Sequence, residues 1–171
     1  MQCHNWNTYK AVVTITCKIQ IQKHFIEKWK SEIINTHKNP ILRTYNLFKK
    51  DFVLEPYIKF IKDSRYRIAM TRLRASSHRL EIERGRHSVP TIPREMRLCQ
   101  FCNVIDDESH FLIDCKIHQN DRKLLFTKIE EQVPAFRSMS MDDKFTYLLS
   151  QQNPQILTWV GKFIFTAFSH R

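Results

Sequence analysis

Glycine is almost missing from this chain: Gly85 and Gly161 are the only two in 171 residues, where average usage of about 7% would supply roughly twelve. A phosphate-cradling loop of the Walker type needs two glycines five residues apart, and a dinucleotide fingerprint needs three within six. Neither can be built here. Turn-rich β-sandwiches are disfavoured for the same reason. Acidic residues are also few, 17 Asp and Glu against 28 Lys and Arg, which leaves a formal charge of +11 with histidine neutral. No apolar run approaches the ~18 residues needed to span a bilayer. Residues Met1 to Lys10 lack the apolar core of a signal peptide. The reading is therefore of an intracellular protein, nuclear or cytoplasmic, without a membrane partner, whose cysteines are reduced or metal-bound.

What is present points to helices. Hydrophobic residues make up 42% and aromatics 12% of the chain, enough for a packed core in one domain or two small ones. The six prolines punctuate segments that mostly carry helical periodicity. Val13, Ile15, Cys17, Ile19 and Ile21 alternate with polar residues as in a half-buried strand, yet Phe25, Trp29 and Ile33 follow at helical spacing. The expectation is a helix from about Lys18 or earlier to Asn35. Leu42, Tyr45, Phe48 and Phe52 suggest a short helix after Pro40, and Pro56 suits the first turn of another through Lys62. The longest helix signal runs from Ser64 to Arg84, with Tyr66, Met70, Leu73, Ser77 and Leu80 on one stripe, and Gly85 is read as its C-cap. Asn120 or Asp121 is expected to cap a helix through Gln132, Ser140 or Asp142 one through Leu149, and Asn153-Pro154 to start a last apolar helix, Ile156 to Phe168. The predicted fold is mostly α, a helical body with a small CCHC zinc-binding unit and a C-terminal helical pair. Its segments are an N-terminal helical extension at 1–40, a basic helical region at 41–97, the zinc unit at 98–118 and the C-terminal helices at 119–171.

The sharpest chemical signal is Cys99, Cys102, His110 and Cys115, spaced C-x2-C-x7-H-x4-C. Zinc prefers tetrahedral thiolate and imidazole ligands, and a C-x2-C turn lets two sulfurs converge on one ion. Cys115 lies about 140° round an ideal helix from His110, so it must reach the ion from a distorted turn or from beyond the helix end, with His118 as the competing fourth ligand. Four protein ligands make a closed, structural site. Cys3-His4 and Cys17 have no matching partners, and His78 and His87 are read as surface or packing histidines.

Positive charge is concentrated beside this site. Between Lys59 and Arg97 basic residues exceed acidic ones by seven of the chain's +11. Arg65, Arg72 and Arg79 fall on one flank of the predicted stripe, Arg67 and Arg74 on the other, and Arg84 and Arg86 follow. Lys and Arg neutralise phosphates with little sequence preference. These seven arginines are the candidate nucleic-acid contacts, for RNA, DNA or both, with Tyr66 or Phe101 as stacking surfaces. Trp159, Phe163, Ile164, Phe165 and Phe168 form either the core or an interface for a protein partner. No carboxylate cluster, nucleophile–base pair or phosphate loop indicates an enzyme, and Met141-Asp142-Asp143 reads as a helix start, not a metal-binding hairpin.

Together the motifs Leu42-Arg43-Thr44-Tyr45, Arg65-Tyr66-Arg67-Ile68-Ala69, His78-Arg79-Leu80-Glu81-Ile82-Glu83-Arg84-Gly85-Arg86, Leu98-Cys99-Gln100-Phe101-Cys102 and Asp106-Asp107-Glu108-Ser109-His110-Phe111 to Cys115 resemble the C-terminal zinc-binding region of non-LTR, LINE-type retrotransposon reverse transcriptases. The resemblance covers most of the chain. It implies a nucleic-acid-binding module from a polyprotein that copies element RNA into DNA, with the reverse transcriptase polypeptide as a possible partner. The polymerase and endonuclease portions are absent from this sequence, which reads as a truncated or solitary copy.

Overall fold

A computed structural model describes residues 3–35 and 37–171. It is mostly α-helical. Among the described residues no strand forms beyond one antiparallel bridge between Leu98 and Ile105, and no helix is long and apolar enough to cross a membrane. The side chains of Cys3 and His4 lie outside the described set. The chain divides into two compact units, Met1–Arg43 and Thr44–Arg171.

The first unit is dominated by α1, Cys3–Ile34. The alternating stretch from Val13 to Ile21 lies inside this helix. A strand leaves its backbone groups unpaired unless a neighbour supplies a ladder, whereas a helix satisfies them within one segment.

The second unit contains α2 (Arg43–Phe48, which starts at the unit boundary), α3 (Pro56–Phe60), α4 (Ser64–Arg74), α5 (Glu81–His87), α6 (Gln119–Gln132), α7 (Met141–Leu149) and α8 (Pro154–Ser169). Local chemistry accounts for most starts. Pro56 and Pro154 occupy the first turns of their helices, where a missing N–H costs nothing. The Asp63 carboxylate accepts from the Arg65 N–H at 2.9 Å. Ser140 Oγ accepts from the Asp143 N–H at 3.1 Å and donates back to the Asp143 carboxylate at 2.7 Å. Asn153 Oδ1 accepts from the N–H groups of Gln155 and Ile156. The α6 helix departs from expectation: it begins at Gln119 without a side-chain cap, ahead of Asn120 and Asp121.

The expected helix from Ser64 to Arg84 is broken. It stops at Arg74, where the Ser77 N–H bonds to the Arg72 carbonyl and the Ser76 N–H to that of Leu73, the paired bonds of a Schellman stop. Ser76 holds the left-handed conformation usually given to glycine, φ 49°. Its hydroxyl is pinned to the buried Glu108 carboxylate, 32 residues away, at 2.5 Å. Gly85 is not a C-cap. It lies inside α5, where an added Cβ would come 2.7 Å from Arg97 Cγ, so this glycine admits the Arg97 side chain, which donates to the carbonyls of Ile82 and Ile92.

The core forms where α8 crosses α4. At Gly161 a Cβ would meet Ile61 Cδ1 at 3.1 Å and the Tyr66 carbonyl oxygen at 3.2 Å, so the two backbones approach closely because no side chain intervenes. Ile61, Met70, Leu73, Leu80, Leu148, Val160 and Ile164 are fully buried here. Phe163 is buried with them, and Trp159, Phe165 and Phe168 pack partly buried against the same cluster. The apolar side of the last helix thus completes the core, and these residues leave little for an interface.

Candidate metal centre

The loop carrying the first two cysteines is closed by backbone bonds. The Cys99 N–H donates to the Val104 carbonyl at 2.7 Å, and the N–H groups of Asn103 and Cys102 turn back onto the Cys99 carbonyl at 2.8 and 3.3 Å. Asn103 takes the left-handed conformation this turn requires, φ 56°, which asparagine tolerates better than other non-glycine residues. The next segment is anchored by two aspartates. Buried Asp106 accepts the Glu81 N–H at 2.8 Å, and Asp107 accepts the His110 N–H at 2.9 Å.

Residues His110–Asp114 then form a π-helical turn, and the Cys115 N–H closes on the His110 carbonyl at 2.8 Å. This wider turn resolves the angular problem of the five-residue spacing, because an i→i+5 bond brings residues five apart back over one another. The result is convergence. The ligand atoms of Cys99, Cys102, His110 and Cys115 all lie within 4.8 Å of one another, and the sulfurs of Cys99 and Cys115 are 3.9 Å apart.

The electrostatics of these groups fit a cation. Cys99, Cys115 and His110 are buried, and His110 Nε2 has no hydrogen-bond partner. Burial lowers the His110 pKa, which keeps the ring neutral and its lone pair free. Burial also pushes the Cys115 thiol up to about 12, with the neighbouring Cys99 sulfur adding to the effect. Three converging sulfurs would repel one another as thiolates, and a divalent cation removes that penalty by supplying the missing charge. The cluster could therefore hold a metal ion.

Its surroundings hold it in place. The Lys116 N–H points at Cys102 Sγ at 3.3 Å. Arg171 reaches Asp106 at 2.6 Å and Cys99 Sγ at 3.7 Å. Buried Arg122 donates to the carbonyls of Phe111, Leu112 and Cys115, closing the end of the π turn. Arg122 and Arg171 were not legible as supports: one sits in a polar stretch read as a helix cap, the other 56 residues beyond the last cysteine. His118 is not a ligand in this arrangement. Its ring packs edge-on against Phe111 and Phe163, at centroid distances of 5.2 and 6.4 Å, and its two nitrogens have no hydrogen-bond partners.

The other histidine of interest is also structural. His78 Nδ1 accepts the Leu80 N–H at 3.3 Å while Nε2 faces Glu108 at 3.0 Å, an arrangement that suits the neutral ring with its proton on Nε2.

The seven candidate arginines are scattered by the break in the predicted helix. Arg72 and Arg79 are exposed, but Arg79 now lies in the connection between α4 and α5 and no longer continues the Arg65–Arg72 flank. Arg65 and Arg84 are exposed and paired with Asp63 and Glu81. Arg67 is half-buried and donates to the Ile61 carbonyl at 2.7 Å, and Arg86 pairs with buried Glu83. Arg74 is withdrawn as a phosphate contact. It is 5% exposed, stacked 4.0 Å from the Phe48 ring centroid and bonded to Glu55 and the Leu149 carbonyl. Of the stacking candidates, Phe101 is exposed and Tyr66 is half-buried against Phe165. Compared with known protein families, curated proteins and solved structures, the chain matches none.

Proposed function

We propose that this chain is a non-enzymatic nucleic-acid-binding module whose fold is fastened by one zinc ion, and that it corresponds to the retrotransposon region it resembles. The observation that carries the metal assignment is the convergence of three sulfurs and one imidazole. With Zn–S bonds of about 2.3 Å, a tetrahedron has an S–S edge of about 3.8 Å, close to the 3.9 Å between Cys99 and Cys115. Bound zinc would hold the 98–118 segment together and, with all four positions taken by protein, offer no open site for hydrolysis.

Support for a polyanionic partner comes from the +11 charge and from the exposed arginines. Among them Arg72 and Arg79 stand exposed on or beside α4, and the Asp63 and Glu81 partners of Arg65 and Arg84 form surface ion pairs that hold a guanidinium only weakly. A phosphate can replace such a partner. The protein-scaffold alternative has less support, because the C-terminal aromatic residues assigned to it are taken up by the core.

The test is a salt series of fluorescence anisotropy with labelled single-stranded RNA, single-stranded DNA and duplex DNA, alongside metal analysis. One zinc per chain is expected. Arg72→Gln/Arg79→Gln should weaken binding to every sequence and flatten the log–log salt slope on a single strand by roughly 1.4. Absence of binding at low salt overturns the nucleic-acid reading, and an unchanged slope overturns the assignment of its contacts to Arg72 and Arg79. Purification without metal overturns the zinc reading.

A further inference from the structure

The α1 helix carries a seven-residue repeat hidden beneath its alternating pattern. Val12, Ile19, Ile26 and Ile33 stand seven apart, and Ile15, Gln22 and Trp29 follow each of the first three at +3. These are the a and d positions of a coiled-coil seam, and every a position is β-branched. The C-terminal end of the seam is already covered: Ile33 is 4% exposed, and Ile26 and Trp29 are half-buried. Its N-terminal end is open, with Val12, Ile15 and Ile19 exposed at 56–57%. A seam of this kind in water lacks its other half.

Charge identifies that half. From Cys3 to Ile26 the helix holds Lys10, Lys18 and Lys23 and no acidic residue. Lys18 and Lys23 occupy the g and e positions that flank the open seam. In a parallel pair of identical chains Lys18 would face Lys23 of the other copy on both sides, and like charges there disfavour self-association. Glutamates at the same positions of a different helix would meet both lysines.

We propose that the open seam of α1 receives an amphipathic helix of another protein, apolar at its a and d positions and acidic at e and g. This goes beyond the nucleic-acid reading and stands whether or not that reading holds.

A probe peptide of three heptads, with Ile at a, Leu at d and Glu at e and g, should bind the full-length chain at low salt. The same peptide with Lys at e and g should bind at least tenfold more weakly. Lys18→Glu/Lys23→Glu should invert that preference, and Ile15→Asn/Ile19→Asn should abolish binding while circular dichroism stays unchanged. Equal binding of the two peptides, or none of the acidic one, overturns the proposal. So does a self-dimer seen by sedimentation that Ile15→Asn/Ile19→Asn dissociates, since the second copy is then the occupant. Labelled RNA whose binding needs Lys18 and Lys23 but not the isoleucines, with no peptide bound, reassigns the face to nucleic acid.

Discussion

Two parts of the second unit bury ionisable groups in opposite ways. Between residues 45 and 74 the charges complete one another. Glu55 lies between Lys49, at 2.7 Å, and Arg74, Arg74 rests over Phe48 and Tyr57, and burial of the Tyr45 hydroxyl, with the Glu55 carboxylate adding to it, pushes that group up to about 12. Between residues 98 and 118 the buried groups do not complete one another. Three thiols and an imidazole converge, and His110 Nε2 is left without a partner. The first region is an ion-pair network whose opposite charges match within it, leaving over only the Arg74 Nε donor; the second is a set of ligand atoms that could gain stability from a cation. The lesson is that convergence of ligand-type side chains marks a candidate ion site, whereas a buried polar atom without a partner does not do so alone, as Arg74 Nε and the two His118 nitrogens show.

That contrast can be broken most severely at the metal. Chelation, or Cys102→Ser, should cost the second unit a large part of the roughly 10–16 kcal/mol that structural zinc supplies in comparable peptides, read as loss of the bound ion together with loss of cooperative unfolding. Retention of a full unfolding transition in the chelated protein would place the 98–118 segment with the self-sufficient kind. In the ion-pair network, Glu55→Gln should cost about 3–5 kcal/mol by urea denaturation, since it leaves buried Lys49 and Arg74 without their counter-charge. Arg74→Met should cost less, because Glu55 keeps Lys49. Equal costs would show that Lys49 contributes nothing.

A pH series sharpens the comparison further. Burial holds the His118 pKa down to about 4, against an ordinary value near 6.5, so the unfolded chain takes up a proton that the folded one refuses. Stability is therefore complete above pH ~6.5 and falls as the pH drops toward 4. Acid would also displace a metal bound at the cluster by protonating its ligands. The part owed to His118 is the difference from His118→Phe, which should lose stability less steeply over that window; identical slopes would show that metal loss accounts for everything. The smallest effect belongs to Asn103. Replacing it by alanine should cost about 1 kcal/mol, since the left-handed backbone is disfavoured for a residue with a Cβ and no local polar group, whereas Asn103→Gly should be neutral or slightly stabilising by the same measurement.

Legibility followed sequence distance. Cys99, Cys102, His110 and Cys115 lie within 17 residues, and a chain that short can bring them together with one tight turn and one widened helical turn. The caps at Ser140 and Asn153 act on N–H groups two or three residues away. The break after Arg74 was not legible, because the hydroxyl that secures Ser76 is answered by Glu108 from another part of the chain. The heptad of α1 was obscured because its d positions include Gln22, its outer faces carry Val13 and Ile21, and apolar Phe25 stands at a flanking g position.

By itself the sequence determined that this protein is helical, basic and equipped with a four-ligand cluster, since composition, capping and short-range spacing act within a turn or two of each residue. Only the tertiary structure decided which arginines remain available to a partner and which glycine admits which neighbour. Arg74 is enclosed by Glu55 and Leu149, and Gly85 accommodates Arg97. Those contacts join residues far apart along the chain, and their geometry exists only after the helices have packed.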